Sequence, residues 1–343
     1  MATLKALRRR VASVKNSQKI TKAMKLVSAA KLRRAQAAAE STRPFAESID
    51  GIIGRIAARV DASKHPLLAR REIKRINLVI VTSDRGLAGA FNSNVHRAAE
   101  QFVREAKAKG QDVIITAVGK RGRDYVRLKK FAPLNDFITD ISSGLSYGTA
   151  ELLAERLIPR FLAGMAQGEG EVVADEMQAK AEMMAAGHST LPEEVRSENA
   201  PAPEETAMEA KPKGPPPPPV DAVVFIYTRF RSAISQVVTT QQILPMEPVR
   251  ASKDEAEIDY KYEPGQKEML DALLPRHVKM QIFRALLESV ASEHGARMTA
   301  MDNASSNAAD FIYRLTLQMN RARQAIITKE LMEIVSGKEA LEG

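Results

Sequence analysis

The sequence predicts an α/β fold in which long N- and C-terminal helices form an antiparallel coiled coil, with a Rossmann-like α/β domain inserted between them. Both ends of the chain carry apolar or small residues at alternating spacings of three and four, the pattern of a coiled-coil seam. Between the ends, β-branched apolar runs alternate with helical patterns, which is typical of a parallel sheet covered by helices. We therefore expect a helix over 1–58, the α/β domain over 72–253 with an insert at 165–219, and a second helix over 266–340.

The C-terminal helix is the longest predicted element. From Pro275 to about Ser336 there is no further proline and one interior glycine, Gly295. Proline is tolerated in the first turn of a helix, so we expect Pro275 to lie there. The predicted seam consists of Met301, Ala304, Ala308, Phe311, Leu315, Met319, Ala322 and Ile326. At ~1.5 Å per residue this helix is roughly 90 Å long, and so narrow a seam needs a partner helix.

The N-terminal segment supplies that partner. The predicted seam consists of Leu4, Leu7, Val11 and Val14 and, after a phase slip, Ile20, Met24, Val27 and Lys31. Pro44 predicts a kink or break near residues 42–43. The first forty residues contain eleven Lys or Arg and one acid, Glu40. A charged, solvated helix with a weak seam is the alternative, and the matching C-terminal helix favours pairing.

The central region is predicted to contain strands that alternate with helices. Strands are predicted at 76–82, 112–118, 137–141, 220–227 and 231–240, and helices at 93–109, after Gly122 and at 148–161. The turn from Gly86 to Gly89 could cradle a phosphate. It lacks a Gly-Lys-Ser/Thr sequence and the third glycine of a dinucleotide fingerprint, so a plain tight turn is the favoured interpretation.

Residues 165–219 differ in composition from their surroundings. They are acidic and end in five consecutive prolines, Pro215 to Pro219. Such a stretch buries too little apolar surface to offset the entropy lost on ordering, so we predict that it is disordered.

The composition excludes several kinds of site. Without cysteine the chain has no disulfide, thiolate metal site or cysteine nucleophile. No apolar run approaches the ~18–20 residues that span a bilayer. The five histidines are scattered, and no Asp, Glu or His cluster has metal-ligand spacing. Asp84-Arg85 and Asp302-Asn303 are interpreted as caps or salt bridges. We predict no catalytic, cofactor-binding or metal-binding residues.

Four motifs resemble a known family. They are SQKITKAMKLV (17–27), SDRGLAG (83–89), RMTAMDNA (297–304) and NRARQAIITKELMEIVSG (320–337). Together they resemble the gamma subunit of F-type, proton-translocating ATP synthases of the bacterial type. The resemblance covers both ends of the chain and most of its middle, apart from the acidic, proline-rich insert.

The resemblance implies a central rotary shaft. In this family the coiled coil fills the bore of a hexamer of alternating alpha and beta subunits, and the foot sits with epsilon on the ring of membrane c subunits. Rotation of the ring couples proton flow to ATP synthesis, and ATP hydrolysis reverses it. Mg-ATP and Mg-ADP are bound by partner subunits, so the resemblance implies a non-catalytic chain. It also implies a peripheral position on the cytoplasmic face of the bacterial inner membrane.

Candidate contact residues are carried over by position. For the alpha/beta hexamer they are Arg8, Arg9, Met24, Arg297, Arg321, Arg323, Gln324, Thr328 and Glu330, with Met24 and Arg297 facing each other. Residues 328–336 are expected in an apolar bearing. For the c ring and epsilon they are Tyr260, Tyr262 and Glu263.

Two features depart from the family pattern. The family typically has a short link where this chain has its insert, which could be a regulatory brake, a docking arm for epsilon or the delta-containing peripheral stalk, or a tolerated surface insertion. The end from Lys338 to Gly343 is charged where the family often has small residues. Two other classes remain open: a coiled-coil protein that binds nucleic acid through its basic N-terminus, although no aromatic residues interleave the basic ones, and a nucleotide-dependent enzyme resting on the glycine turn.

Overall fold

Ten helices and strands make up the described part of the chain. The computed structural model describes residues 4–59, 65–141, 144–166, 218–246 and 265–342. In chain order the elements are α1 (Leu4–Arg59), β1 (Arg75–Val81), α2 (Phe91–Ala108), β2 (Asp112–Val118), α3 (Lys120–Lys129), β3 (Leu134–Ile138), α4 (Tyr147–Ala166), β4 (Ala222–Phe230), β5 (Gln236–Leu244) and α5 (Gln266–Glu342).

The sheet is five-stranded with the order β3-β2-β1-β4-β5. Neighbouring strands are parallel except β5, which runs antiparallel to β4 at one edge. The interior strands β1 and β2 are buried along all but their first residue. Burial on both faces explains why their sequences are continuous apolar runs.

The two faces of the sheet have different covers. Helices α2 and α3 pack on one face through residues such as Val103 and Val126. Helix α4 and the first half of α5 pack on the other face, in the core that contains Phe225, Leu274 and Leu286. The α/β domain is therefore joined to the long helix pair through a continuous hydrophobic core.

Helices α1 and α5 pair in antiparallel orientation. The side-chain amide of Gln18 donates to the carbonyl of Ser305 (3.2 Å), and Lys25 pairs with Asp302 (2.6 Å). Further along α1, Leu32 packs in a cluster with Ala291. Residue numbers along α5 thus decrease as those along α1 increase, so the two helices are antiparallel. This confirms the predicted fold class.

The coiled-coil seam differs from the predicted one on α1. Ile20 and Val27 are 60% and 57% exposed, and Lys31 is exposed as well. The buried or half-buried positions continue without a slip as Leu4, Leu7, Val11, Val14, Gln18, Thr21, Lys25, Ser28, Leu32 and Ala35. The predicted phase slip was wrong because polar side chains hold the middle of the seam.

The predicted seam of α5 is partly confirmed. Met301 and Leu315 are buried, whereas Phe311 and Ile326 are 50% and 43% exposed. Ile312, next to Phe311, is half-buried in its place. The two predicted seam positions at Phe311 and Ile326 were therefore wrong.

Neither proline ends a helix. Helix α1 continues through Pro44, and α5 begins at Gln266, so Pro275 lies inside the helix and not in its first turn. Next to Pro44, the Thr42 hydroxyl donates to the carbonyls of Ala38 and Ala39. Because α1 is continuous, the predicted break near residues 42–43 was wrong, and a kink there stays a prediction. Ile49 of α1 and Leu274 of α5 are buried in the large hydrophobic core, and this packing holds both helices together near their prolines.

The strand predictions hold to within a few residues. The strand at 112–118 is confirmed at both ends, and the short third strand lies at Leu134–Ile138, three residues earlier than predicted. The expected neighbour of β4 pairs with it from Gln236 onward, after a tight hairpin. The predicted disorder of 165–219 falls on residues 167–217 outside the described part of the chain and stays a prediction there, whereas residues 165 and 166 belong to α4. Residues 247–264 also lie outside the described residues.

A buried histidine between α2 and α3 leads to a prediction about acid stability. His96 stacks on Tyr125 with ring centroids 3.9 Å apart, and burial lowers the pKa of His96 to about 4, against an opposing effect of Glu100. The unfolded state therefore binds this proton first, and stability is lost as pH falls from about 6.5 towards 4. Replacing His96 by Phe should keep the stack and reduce this loss by roughly 1–3 kcal/mol in urea titrations at several pH values. If the free energy of unfolding of the variant falls with pH as steeply as that of the original chain, His96 is not the cause of the loss.

Candidate functional site

The C-terminal end of α5 extends beyond its partner helix. The register set by Gln18 and Ser305 places Leu4, the first described residue of α1, level with about residue 319 of α5. Helix α5 continues to Glu342. Roughly 20 residues, or about 30 Å of helix, therefore project past the start of α1.

This projecting tip exposes six large apolar side chains among its polar ones. The exposed fractions are 43% and 49% for Ile326 and Ile327, 57% and 65% for Leu331 and Met332, and 69% and 58% for Ile334 and Val335. Monomeric soluble proteins rarely leave so many large apolar side chains together in water. The tip is therefore built to be enclosed by something outside the described chain.

Five of the six predicted hexamer contacts on α5 lie at the base and along the length of this tip, and the sixth, Arg297, lies further down the helix. Arg321, Arg323 and Gln324 are exposed, and so are Thr328 and Glu330. On the paired helix, Arg8 and Arg9 are exposed beside the buried Leu7. The structure thus places these seven residues on a surface that a partner can reach, and their contacts with a partner stay predictions.

Arg297 lies at the junction between the coiled coil and the α/β domain. Its Nη2 donates to Glu293 Oε1 (2.7 Å) and to the carbonyl of Arg85 (3.2 Å), and its Nε donates to the carbonyl of Gly86 (3.4 Å). The Arg297 and Glu293 side chains are only 10% and 3% exposed. One guanidinium therefore ties α5 to the turn that follows β1.

Burial shifts the proton affinities around Arg297. Desolvation raises the pKa of Glu293 more than Arg297 and Lys31 lower it, and Asp84 adds to the rise. Burial, followed by the charges of Arg297 and Lys31, lowers the pKa of His294 to about 4. His294 is therefore neutral near pH 7, and its Nδ1 lies 3.3 Å from Arg297 Nη1, where a neutral ring can accept the hydrogen bond.

The turn after β1 packs against α5. Gly89 has φ +56°, and a Cβ built on it would lie 3.7 Å from the Cβ of Ala300. Ala88 and Phe91 pack on Ala296. In open α/β sheets ligands bind where the strand order reverses, which here is between β1 and β4. In this chain its own helix α5 packs over that crevice.

Uncharged side chains line what remains of the crevice. A cavity of about 240 Å³ lies beside α5, with Asn94, Thr228 and Thr299 among its polar lining residues. The nucleotide interpretation gains no support from a lining of this kind, because phosphates are usually met by charged side chains as well as backbone amides.

Both aspartates that the sequence singled out have the structural roles predicted for them. Asp84 Oδ1 accepts the backbone N–H of Lys120 in the first turn of α3 (3.0 Å), which is a helix cap. Asp302 forms the exposed ion pair with Lys25. Within the described residues, no group of three or more His, Asp or Glu is arranged to hold a metal ion.

Two sequence expectations are left without a test at this site. Met24 is half-buried on α1, and its predicted position facing Arg297 stays a prediction. Tyr260, Tyr262 and Glu263 lie outside the described residues.

Sequence reasoning missed Glu293 and His294, which meet Arg297 inside the protein. The signal that could have found Glu293 is its spacing, since Glu four residues before Arg is a favourable helical pair.

Comparisons with known proteins agree with this architecture. The profile of the ATP synthase family matches residues 3–217 and 206–341. The sequence is 43% identical to the ATP synthase gamma chain of Geobacter metallireducens, with 100% of each chain covered. It is also 43% identical to the gamma chain of an Anaeromyxobacter species, again with 100% of each chain covered. The chain belongs to the ATP synthase gamma-chain family.

The fold of this gamma-family chain is shared with two solved structures. It superposes with a TM-score of 0.58 on a chain of the Euglena gracilis mitochondrial ATP synthase, at 18% identity over 98% of this chain and 94% of that one. The TM-score is 0.51 for a chain of the Tetrahymena thermophila mitochondrial ATP synthase, at 23% identity over 83% of this chain and 99% of that one.

The bacterial relatives bear on the insert. Because their alignments cover 343 and 345 residues and all of both chains, these gamma chains are similar in length to this one. The 165–219 region therefore does not make this chain longer than these bacterial relatives.

None of the helices in the described ranges is both long and apolar enough to cross a bilayer.

Proposed function

We propose that this chain is the central rotary shaft of a bacterial F-type ATP synthase. The observation that carries the proposal is the apolar tip of α5, which projects beyond the coiled coil and needs an enclosing partner. A hexamer of alternating alpha and beta subunits around the tip would bury these side chains. Membership of the gamma-chain family, with full-length relatives at 43% identity, supports the same assignment.

The shape of the shaft suggests how rotation reaches the partner's catalytic sites. At the tip a single helix stands alone, and below it two helices lie side by side, so the rod is asymmetric about its long axis. Turning such a rod inside a hexamer presents different faces to three catalytic subunits in sequence. We infer that the shaft drives conformational change in this way, and that ATP hydrolysis by the partners turns it in reverse.

The surface charges suit a rotating contact. Arg8 and Arg9 on α1 and Arg321 and Arg323 on α5 are exposed cations around the base of the tip. Exposed ion pairs contribute under about 1 kcal/mol each, which permits them to form and break as the rod turns. Arginine can also make bidentate contacts with carboxylates, which suits torque transfer at a few points.

The catalytic chemistry is assigned to partner subunits. Mg-ATP and Mg-ADP would bind to the beta subunits, and this chain would be a non-catalytic subunit. Its foot would contact epsilon and the c ring through Tyr260, Tyr262 and Glu263. The complex would hold it at the cytoplasmic face of the inner membrane. The matching Tetrahymena chain comes from a structure of a central stalk and c ring, which supports the assignment of these partners.

Affinity purification tests this function. The tagged chain is purified from membranes of its own host in mild detergent, and the co-purified subunits are identified by mass spectrometry. Recovery of alpha, beta, epsilon and c subunits with Mg-ATPase activity is the expected result. Recovery of nucleic acid, or of the chain alone with bound nucleotide, would favour one of the two alternative classes and overturn the proposal.

Deletion of residues 168–217 tests whether the insert regulates the motor. As a brake or as a docking arm for epsilon or the delta-containing peripheral stalk, its loss should change the Mg-ATPase rate or the proton coupling of the assembled complex by at least twofold. Both quantities are measured in inverted membrane vesicles, alongside subunit composition. Unchanged hydrolysis, coupling and assembly would show that the insert is a tolerated surface insertion.

A further inference from the structure

One edge of the α/β domain carries exposed basic side chains that the proposed rotor contacts leave unused. We define the basic rim as Lys107 and Lys109 at the end of α2 with Arg127, Lys129 and Lys130 at the end of α3, all exposed. Lys107 Nζ donates to the carbonyl of Phe131, just after α3 (3.1 Å), which holds the two helix ends side by side. The rim is thus one surface drawn from two elements.

Other side chains engage the acids that flank the rim. Glu105 accepts a hydrogen bond from Gln101 (2.9 Å), and Asp124 pairs with Arg123 (2.8 Å). Asp112 lies 3.6 Å from Arg75. Basic residues at helix ends do complement the helix dipole. Five basic residues at two adjacent helix ends are more than the two helix dipoles require, and they leave the rim strongly positive.

The chain leaves the α/β domain and returns to it at this same edge. Gly164, in the last turn of α4, and Pro219, just before β4, line one cleft together with Arg75 and Asp112. Arg75 and Asp112 are the first residues of β1 and β2. Asp112 follows the end of α2 by a few residues, so the rim begins beside this cleft. Both ends of the 167–217 segment therefore lie near the start of the rim.

The segment between those two points has the opposite charge. Residues 167–217 contain eleven Asp or Glu and four Lys or Arg, a formal charge of −7 in a chain whose total is +9. We propose that residues 167–217 dock on the basic rim of their own chain. As a coil, 51 residues span about 40 Å. The rim lies within a few strand spacings of both ends, at ~4.8 Å each, so the segment reaches it easily.

The inference does not depend on the proposed function, because it rests on the charges and on where the segment begins and ends. Exposed ion pairs are screened by salt, so docking should weaken as ionic strength rises.

The chain's lack of cysteine allows a direct test. Leu128, 79% exposed between Arg127 and Lys129, is replaced by Cys and labelled with a benzophenone maleimide. A matched probe is placed at Ile234, which is 87% exposed on the β4–β5 hairpin. This hairpin lies at the carboxyl end of β4, at the opposite end of the strands from the basic rim. Both full-length chains are irradiated alone and in the assembled complex, and the cross-linked peptides are identified by mass spectrometry.

We expect the Leu128 probe to capture peptides from 167–217 at least fivefold more efficiently than the Ile234 probe, with the yield falling as salt is raised. The double variant Lys109→Glu, Lys129→Glu should lower capture at least fivefold, whereas Arg97→Glu, Arg231→Glu, the same charge change at the opposite end of the strands, should leave it unchanged. Equal capture by the two probes, insensitivity to the rim variant, or capture only of another subunit or of lipid would overturn the proposal.

Discussion

Replacing Arg297 by Met should lower the free energy of unfolding by about 3–5 kcal/mol, the usual cost of leaving one member of a buried ion pair without its partner. Glu293 is buried, and the guanidinium of Arg297 donates a 2.7 Å hydrogen bond to its carboxylate. The same change releases the carbonyls of Arg85 and Gly86 that the guanidinium holds. Urea unfolding of the purified chain followed by circular dichroism measures the effect. The matched control is Lys25→Met, which breaks an exposed pair and should cost under about 1 kcal/mol.

Acid should relieve part of this loss. Burial already raises the pKa of Glu293, and without Arg297 the rise is larger. The folded state then binds a proton that the unfolded state releases, so the destabilisation shrinks as pH falls below the folded pKa. The double variant Glu293→Gln, Arg297→Met should be less destabilised than Arg297→Met alone. If both variants lose stability equally at every pH, the buried charge is not the cause.

Truncation after Asn320 should lower the Mg-ATPase and ATP-synthesis rates of the assembled complex at least tenfold. The cut removes the apolar tip and the predicted contacts Arg321, Arg323 and Gln324. The tip is exposed and projects past the start of α1, so the stability of the chain itself should change by less than ~1 kcal/mol. Rates are measured on reconstituted complexes with matched subunit content.

A shorter truncation is the control for the tip. Removing only Lys338 to Gly343 takes away the charged end and leaves the exposed apolar residues from Ile326 to Val335 in place. Its rates should stay within twofold of the full-length chain. Full activity after the longer cut would show that the tip carries no torque.

Periodicity predicted those parts of the fold that burial controls. The continuous apolar run of β2 was located at both ends because a strand buried on two faces leaves no other pattern. The phase of α1 was misjudged because Gln18, Lys25 and Ser28 occupy seam positions. A polar seam residue can be accommodated by a partner across the pair, as Lys25 is by Asp302, and apolar spacing does not detect that partner.

The two prolines show a second limit of sequence reasoning. Pro44 and Pro275 each carry a local penalty, and the sequence does not reveal how much packing opposes it. Pro275 sits next to Leu274, which is fully buried in the core shared with the sheet. Tertiary contacts therefore hold α5 helical from Gln266 onward and through Pro275.

The site residues were predicted from sequence position alone. The structure shows that Arg321 and Arg323, at the base of the tip, are exposed, and their contacts with a partner stay predictions. The junction at Arg297 was not predicted, because two of its partners, Arg85 and Gly86, are more than two hundred residues away in the chain. A long-range hydrogen bond to a backbone carbonyl leaves no pattern in either segment.

Direct observation of rotation tests the central claim. A cysteine at Leu128, in the α/β domain, carries a bead while the alpha/beta hexamer is fixed to a surface, and the natural absence of cysteine makes the attachment specific. With Mg-ATP, the bead should turn in one direction in three steps per revolution, and truncation after Asn320 should stop or slow it. A complex that hydrolyses ATP at its full rate while a firmly attached bead stays still would contradict the rotary-shaft account.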